Sequence, residues 1–230
     1  MNLNNELFQE INNHLLEDQQ PSLYLNEISK LKKYTLNQDL KLLFMLKEIE
    51  QSKQHHPEGN VWNHTMLVVD QGAKIKSNSK NEKIFMWAAL LHDLGKIKAT
   101  KIRKGRITAY DHDREGEHMG KEFLSKLISD EEFIEKVCLL IKWHMQPLYV
   151  IKDLPFAKIK QMNEEVSILE LGLFTLCDRL GRGDLSIENI NKVKNDAIIF
   201  LSKCSIKLHD NNKNSEIESA IELVKGLNIV

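Results

Sequence analysis

The chain has 230 residues, of which 42% are apolar and 28% charged, and its formal net charge is −1. This composition is typical of a soluble globular protein, and the near-zero charge excludes a chain-wide attraction to nucleic acids or membranes. No stretch approaches the roughly 20 apolar residues of a membrane span, and the N-terminus lacks the pattern of a signal peptide. Three widely spaced cysteines favour a reducing compartment, so we expect a cytoplasmic protein with no membrane partner.

Helical periodicity dominates the first part of the chain. Apolar stripes at helical spacing predict helices near residues 7–15, 40–51 and 61–75. Residues 84–91 are apolar nearly all round, which is typical of a central helix buried on every side.

Residues 98–110 have a different pattern. Two short runs flank Lys104-Gly105, and apolar side chains alternate with polar ones in the second run. This pattern predicts a small β-hairpin.

Helical stripes resume after the hairpin and continue almost to the end of the chain. They predict further helices from about residue 113 and at 133–144, 166–180, 190–201 and 217–224, with a helix–helix turn at 210–214. The expected fold is all-α, a helical bundle with one small β-hairpin. We divide it into an N-terminal helical extension (1–52), a core (53–184) and C-terminal helices packed on that core (185–230).

Several histidine and aspartate side chains occur where packing alone does not explain them. His92 and Asp93 end the most apolar predicted helix, and a carboxylate buried there must be paired or bind a metal. The others stand on or beside apolar faces of separate elements: His64, His112, His144 and Asp178. Helices that converge on a bundle centre can build a metal site. Imidazole and carboxylate suit first-row divalent metals, and the absence of thiolate ligands argues against structural zinc.

The motifs that contain these residues occur in a specific order. They are HHPEGNVWNHT at 55–65, LLHDLGK at 90–96, GRIT at 105–108, YDHD at 110–113 and CDRLGRG at 177–183. His64, the His92-Asp93 pair and Asp178 resemble the H…HD…D signature of the HD phosphohydrolase superfamily. The whole series, over roughly residues 42–184, is most similar to the HD domain of bacterial CCA-adding tRNA nucleotidyltransferases.

The resemblance implies a metal-dependent phosphohydrolase core at 53–184. It implies hydrolysis of a phosphomonoester or a phosphodiester, including 2′,3′-cyclic phosphodiesters, through a metal-bound hydroxide. The expected ligands of the first metal are His64, His92, Asp93 and Asp178, and Asp93 would bridge if two ions bind. His112 and His144 match positions that supply a second metal in two-metal members. We expect one or two divalent ions per chain, from among manganese, nickel, iron, magnesium and zinc.

The resemblance does not extend to the polymerase head of the nucleotidyltransferases. Only about fifty residues precede the core, and they lack the Gly-Ser and paired-aspartate motif of that head. We therefore do not expect CCA addition.

Basic side chains cluster beside the expected metal site. Lys96 would hold a phosphate oxygen and is, with Asp93, an expected catalytic residue, while Arg179 and Arg182 would bind phosphate through their planar guanidinium groups. The densest positive patch of the chain comprises Lys96, Lys98, Lys101, Arg103, Lys104 and Arg106. The expected substrate is therefore a nucleotide or an RNA-end phosphate, with tRNA as a candidate partner.

Other interpretations remain open. The chain could be a non-catalytic module that retains the bundle to bind tRNA, another RNA or a protein partner, although such a module has no need of six candidate ligands. A second-messenger phosphodiesterase would also fit two metals, but its Gly-Tyr-Pro motif does not occur. The basic hairpin also fits a charged, solvated strand edge.

Three histidines and one glutamate in or near these motifs have no assigned role. His118 lies in a surface pattern and is expected to be solvated, and His55 and His56 fit an exposed turn. Glu58 fits either a contact to a metal-bound water or a cap of the following helix.

Overall fold

The protein is described here by a computed structural model, which covers residues 3–208 and 211–229. Its helices are α1 (Leu3–Glu17), α2 (Pro21–Ile28), α3 (Lys32–Thr35), α4 (Lys41–Met45), α5 (Val61–Ile75), α6 (Glu82–Leu91), α7 (Lys96–Ala99), α8 (His112–Leu127), α9 (Glu131–Trp143), α10 (Gln146–Ile151), α11 (Ile159–Glu165), α12 (Ile168–Leu180), α13 (Ile187–Leu208) and α14 (Asn211–Gly226). Single 3-10 turns follow α4 and α5, at Leu46–Glu48 and Lys76–Asn78. The predicted all-α bundle with one small hairpin is confirmed.

The hairpin consists of β1 (Thr100–Arg103) and β2 (Arg106–Ala109). The strands pair antiparallel, with Thr100 opposite Ala109 and Arg103 opposite Arg106. Lys104 and Gly105 form the turn, both with positive φ, which glycine adopts at little cost. The hairpin lies where the alternating pattern predicts it.

Helix α6 is the centre of the bundle. Its N-terminus is capped by the Asn81 side chain, which accepts a hydrogen bond from the Ile84 N–H at 3.1 Å. Every side chain from Phe85 to Leu91 is buried, and α1, α5, α9 and α12 pack around the helix. The run of apolar residues is therefore buried on all sides, and the polar residues that follow it, His92 and Asp93, enter the interior.

The N-terminal and C-terminal helices share one hydrophobic core with the central helices. Phe8 of α1 stacks on Trp87 of α6 with ring centroids 4.6 Å apart, and Trp87 Nε1 donates to Asn12 Oδ1 at 3.1 Å. Val224 of α14 belongs to the same cluster of buried side chains. The division at residues 52 and 184 remains a prediction.

The predicted helix over 40–51 is wrong at its C-terminal end. Helix α4 stops at Met45, and after one 3-10 turn the backbone becomes extended at Ile49. The reason is a tertiary contact, because the Ile49 carbonyl accepts a hydrogen bond from the Val61 N–H at 2.9 Å. Residues 51–60 consequently form a loop that returns to the start of α5.

The predicted turn at 210–214 is also wrong in part. Residue 210 lies outside the described residues, and α14 has already begun at Asn211. Packing of the buried face formed by Ile217, Ala220 and Val224 outweighs the low helix propensity of asparagine.

Two further observations concern the chain as a whole. All three cysteines, Cys138, Cys177 and Cys204, are buried free thiols. Among the described residues, no helix has the length and apolar character needed to span a membrane.

Candidate metal centre

The six expected ligands come from the ends or flanks of five helices. His64 lies in the second turn of α5, and His92 and Asp93 immediately follow α6. The remaining three occupy the first residue of α8, the position after α9 and the last turn of α12: His112, His144 and Asp178. The packing of these helices around α6 brings five of the side chains into two adjoining groups of potential ligands, and Asp178 joins them through its contact with His64 Nε2 at 3.0 Å.

Asp93 is the centre of this cluster. Its Oδ2 lies 3.3 Å from His92 Nε2 and 3.8 Å from His64 Nε2, and its Oδ1 lies 3.4 Å from His112 Nε2. Two groups of potential ligand atoms share this carboxylate, His64–His92–Asp93 and Asp93–His112–His144, and the atoms of each group lie within 4.8 Å of one another. One carboxylate oxygen thus faces each group, which is the arrangement of a carboxylate that bridges two ions.

The imidazoles are oriented with Nε2 toward the cluster. Nδ1 of His92, His112 and His144 contacts the backbone carbonyl three residues earlier, at 2.9, 2.7 and 2.6 Å respectively. A carbonyl only accepts hydrogen bonds, so Nδ1 carries the proton and the Nε2 lone pair is available. Metal-ligating histidines are usually fixed by such contacts.

Buried polar atoms at the centre lack hydrogen-bond partners. His92 and Asp93 are each 1% exposed, and in the part of the chain that the structure describes neither His92 Nε2 nor either Asp93 oxygen makes an aligned hydrogen bond. The Lys96 ammonium lies 2.8 Å from Asp93 Oδ2, but Asp93 Oδ1 and His92 Nε2 have no hydrogen-bond partner among the described residues, and burying such atoms costs free energy. The donor set of imidazole and carboxylate therefore fits a divalent cation, which would bind these atoms directly.

The surroundings of His64, Asp93 and Asp178 favour the charged form of each of these groups. Burial would lower the pKa of His64, but its hydrogen bonds to Asp178 and Glu58 outweigh burial and raise that pKa to about 9. Burial would likewise raise the carboxyl pKa values, yet Lys96 and His92 hold the pKa of Asp93, and His64 that of Asp178, well below the usual range. The pair of carboxylates remains ionised and would attract a cation.

His112 differs from His64 in its charge state. Burial, opposed by Asp93, lowers the pKa of His112 to about 3. Burial and His92 also lower the pKa of His144. Both imidazoles are therefore neutral near pH 7, which is the form that ligates metals.

Glu58 and His56 also contact the cluster, which the sequence analysis did not establish. Glu58 Oε1 lies 2.9 Å from His64 Nδ1 and 2.8 Å from His56 Nδ1, and the carboxylate side chain is 5% exposed. Burial would raise the pKa of Glu58, but hydrogen bonds from His56 and His64 lower it to about 2. The expectation of an exposed turn is therefore wrong for His56, which is half-buried against Glu58.

Lys96 lies inside the cluster. The two arginines expected to bind phosphate, Arg179 and Arg182, make different contacts. Lys96 Nζ is 2.8 Å from Asp93 Oδ2 and donates to Gln51 Oε1 at 2.6 Å. Arg182 lowers the pKa of Asp178, and its buried Nε has no hydrogen-bond partner among the described residues. Arg179 instead pairs with Asp196 of α13, Nη2 to Oδ2, at 2.9 Å.

Two glycines permit the close helix contacts at the cluster. A Cβ on Gly95 would lie 2.0 Å from the His112 carbonyl oxygen, and one on Gly181 would lie 2.4 Å from Val68 Cγ2. Gly95 thus lets α8 approach the His92-Asp93 turn. Gly181 lets α12 approach α5, where its own carbonyl lies 3.2 Å from His64 Nδ1.

His55 is exposed in the loop before α5, as expected, and the last histidine without an assigned role, His118, is exposed on α8. It therefore lies on the surface, as its pattern indicates.

Comparison with known proteins identifies the family to which the chain is similar. The model of the HD domain family matches residues 61–183, a segment that contains all six expected ligands. The chain is 31% identical over 149 residues to a multifunctional CCA protein of Actinobacillus pleuropneumoniae, covering 61% of this chain and 35% of that protein. It is 29% identical over 142 residues to a multifunctional CCA protein of Alkalilimnicola ehrlichii, covering 61% of this chain and 32% of the relative. The matched region is thus about a third of the length of these relatives.

Proposed function

We propose that this chain, which belongs to the HD domain family, is a metal-dependent phosphohydrolase that cleaves a phosphomonoester or phosphodiester of a nucleotide or an RNA end. The observation that carries the proposal is the position of Asp93 between two groups of imidazoles, with both oxygens buried and without aligned hydrogen bonds. The Lys96 ammonium pairs with Oδ2, whereas Oδ1 is buried with no hydrogen-bond partner among the described residues, which supports a metal-binding role for this carboxylate.

The residues divide into two ligand groups. His64, His92, Asp93 and Asp178 would hold one ion, and Asp93 with His112 and His144 would hold a second. When bound, a divalent ion lowers the pKa of a coordinated water toward neutrality and polarises a phosphoryl oxygen. Manganese, iron, nickel, zinc and magnesium all remain candidates.

The cationic side chains would bind the phosphate. The Lys96 ammonium lies 2.8 Å from Asp93 Oδ2, so it would face a phosphate oxygen held by an ion that this carboxylate binds. Gln51 fixes the direction of this ammonium through the 2.6 Å hydrogen bond. Arg182, beside Asp178 and with an unpaired Nε, would donate to a second phosphate oxygen. The Asp196 contact of Arg179 favours a structural role for that residue.

The substrate class is supported by charge and by the relatives. The relatives that share this region carry the name multifunctional CCA protein. The cations that follow Lys96 supply a local attraction for a polyanion in a chain of net charge −1. We therefore infer a nucleotide or RNA-end phosphate as substrate, with tRNA as a candidate source of that end.

The alternative is a non-catalytic module that binds tRNA, another RNA or a protein. The common orientation of three imidazoles argues against a non-catalytic module. In each of them a contact of Nδ1 with a backbone carbonyl directs Nε2 toward the same centre. A surface that only binds RNA does not require this arrangement.

Measurements of metal content and of hydrolysis distinguish the hydrolase from the non-catalytic module. The purified protein would be supplemented with each metal, analysed by mass spectrometry, and assayed on bis(p-nitrophenyl) phosphate and 2′,3′-cyclic AMP. One or two metals per chain and activity that His92→Ala/Asp93→Ala abolishes would support the hydrolase, with exposed His118→Ala as the matched control. A parent protein without bound metal, or activity unaffected by the double substitution, would refute it.

A further inference from the structure

The hairpin presents a group of cations that the proposed chemistry does not use. We define the hairpin surface as the exposed side chains of Lys98, Lys101, Arg103, Lys104, Arg106 and Tyr110. No aspartate or glutamate occurs between Lys96 and Tyr110. None of the five cations forms an ion pair with a carboxylate in the described ranges 3–208 and 211–229. Their charge is therefore not neutralised by the protein.

The strand register concentrates like charges on one face. Arg103 and Arg106 are directly opposite each other across the two strands, and Lys101 is two residues before Arg103 on the same face. Like charges directly opposite each other destabilise a strand pair. A polyanion along this face would remove that repulsion, whereas solvent only screens it.

An aromatic ring extends the charged face. Tyr110 is 63% exposed, and the Arg103 guanidinium lies over its ring at 4.8 Å from the centroid. An exposed ring beside cations is typical of surfaces on which unpaired bases stack while the backbone phosphates contact the cations. The faces of bases in a duplex are not available for such stacking.

The hairpin surface is joined to the metal centre at both ends. Helix α7, which leads into β1, begins with Lys96, and Lys96 contacts Asp93 at 2.8 Å. At the other end, the carbonyl of Ala109, the last residue of β2, accepts the hydrogen bond from His112 Nδ1 at 2.7 Å. A strand bound along the hairpin would thus have its terminus beside the candidate ligands.

We propose that the hairpin surface binds the single-stranded end of an RNA and directs its terminal phosphate to the metal centre. This inference rests on the proposed function for the fate of the phosphate, but the binding itself does not require hydrolysis. The strand is taken to be RNA because the proposed substrate is an RNA end.

The test is the affinity of the full chain for a fluorescent 12-nucleotide single-stranded RNA, measured by anisotropy over a salt series. The variant Lys101→Gln/Arg103→Gln/Lys104→Gln/Arg106→Gln removes four positive charges from the hairpin surface. The matched control Lys152→Gln/Lys160→Gln/Lys192→Gln/Lys207→Gln removes four exposed charges elsewhere. A separate Tyr110→Ala variant tests stacking, and circular dichroism with thermal melting shows that each variant is folded.

We expect the hairpin variant to bind the RNA at least ~10-fold more weakly than the parent. The slope of log K against log salt should become shallower by about 3, since each phosphate contact to a single strand contributes roughly 0.7 to that slope and four cations are removed. Tyr110→Ala should weaken binding by about 5-fold or more, as expected for one lost stacking contact. The control should bind within about 2-fold of the parent. An RNA duplex of the same length should bind more weakly than the RNA strand, because the faces of its bases are not available for stacking.

Several outcomes would overturn the inference. They are no binding by the parent at about 0.1 M salt, equal losses in the hairpin and control variants, or binding of an RNA duplex as tight as that of the single strand. Hydrolysis of 2′,3′-cyclic AMP by the parent reports separately on the proposed function. RNA binding by a parent that holds no metal would retain the hairpin surface and refute the hydrolase, and metal-dependent hydrolysis of 2′,3′-cyclic AMP without RNA binding would do the reverse.

Discussion

His64 Nε2 lies 3.0 Å from Asp178 Oδ1, although 114 residues separate the two along the chain. The contact joins α5 to the last turn of α12, on the opposite side of Asp93 from His112. It therefore forms one half of a centre whose other half contains His112 and His144. The two halves make separable predictions about metal binding.

Single substitutions should lower the number of metal ions bound per chain, by one or by two according to the residue. We expect the parent to bind two equivalents of Mn²⁺, Asp178→Ala one, His144→Ala one, and Asp93→Ala none, because Asp93 belongs to both ligand groups. Isothermal titration calorimetry with metal analysis measures the stoichiometry. Retention of full stoichiometry by Asp93→Ala would contradict the shared-ligand arrangement.

Glu58 should act as a positioning residue for His64. Glu58→Gln weakens the acceptor 2.9 Å from His64 Nδ1, and loss of such a partner typically lowers metal affinity or activity by about 10- to 100-fold. The Mn²⁺ dissociation constant is the measurement, and the exposed Glu135→Gln on α9 is the matched control. Glu58→Asp, which keeps the charge, should recover part of the loss. If Glu58→Gln and Glu135→Gln have the same affinity, Glu58 does not position the ligand.

Lys96 should affect turnover more than metal binding. Lys96→Met removes a cation from the phosphate position, and loss of one stabilising donor typically costs about 100-fold in kcat. Metal stoichiometry should be unchanged, because Lys96 is not a ligand. Exposed Lys152→Met should leave kcat unaltered. Loss of metal together with activity in Lys96→Met would assign the lysine a structural role instead.

Arg182 and Arg179 should give opposite phenotypes. Arg182→Gln removes the group with the unpaired buried Nε and should raise KM for a small phosphodiester about 10-fold with little change in stability. Arg179→Gln breaks the 2.9 Å ion pair with Asp196 and should lower the free energy of unfolding by about 1 kcal/mol with KM unchanged. Steady-state kinetics and urea denaturation distinguish them. The reverse pattern would place Arg179 at the substrate.

Gly95→Ala should destabilise the fold at the centre. The new Cβ would lie 2.0 Å from the His112 carbonyl oxygen, a backbone atom that cannot move without displacing α8. Overpacking of this kind costs typically about 1–3 kcal/mol, and here metal binding should fall as well. Gly226→Ala is the control, since no atom lies within 4 Å of its added Cβ. Equal midpoints of urea denaturation for the two variants would contradict this prediction, because they would mean that α8 shifts at no cost in free energy of unfolding.

The sequence by itself determined the helices that carry a buried face and the position of the hairpin. The apolar run that ends in His92-Asp93 is an example, because a helix buried on all sides must take the polar residues at its end into the interior. Periodicity reports burial, and buried histidines and aspartates on separate elements indicated a metal site, whereas the set of ligands for one or two ions came from the resemblance of the ordered motifs to the HD family. Their assignment as ligands remains a proposal.

Only the tertiary structure decided which side chains face the centre. Gln51 and Glu58 reach it because the Ile49–Val61 contact ends the preceding helix and turns the loop back, which local propensity does not encode. Arg179 and Arg182 are three residues apart, yet one pairs with α13 and the other lies beside Asp178. The direction of a side chain at a helix end depends on the angle at which neighbouring helices pack, and that angle results from contacts between residues far apart in the chain.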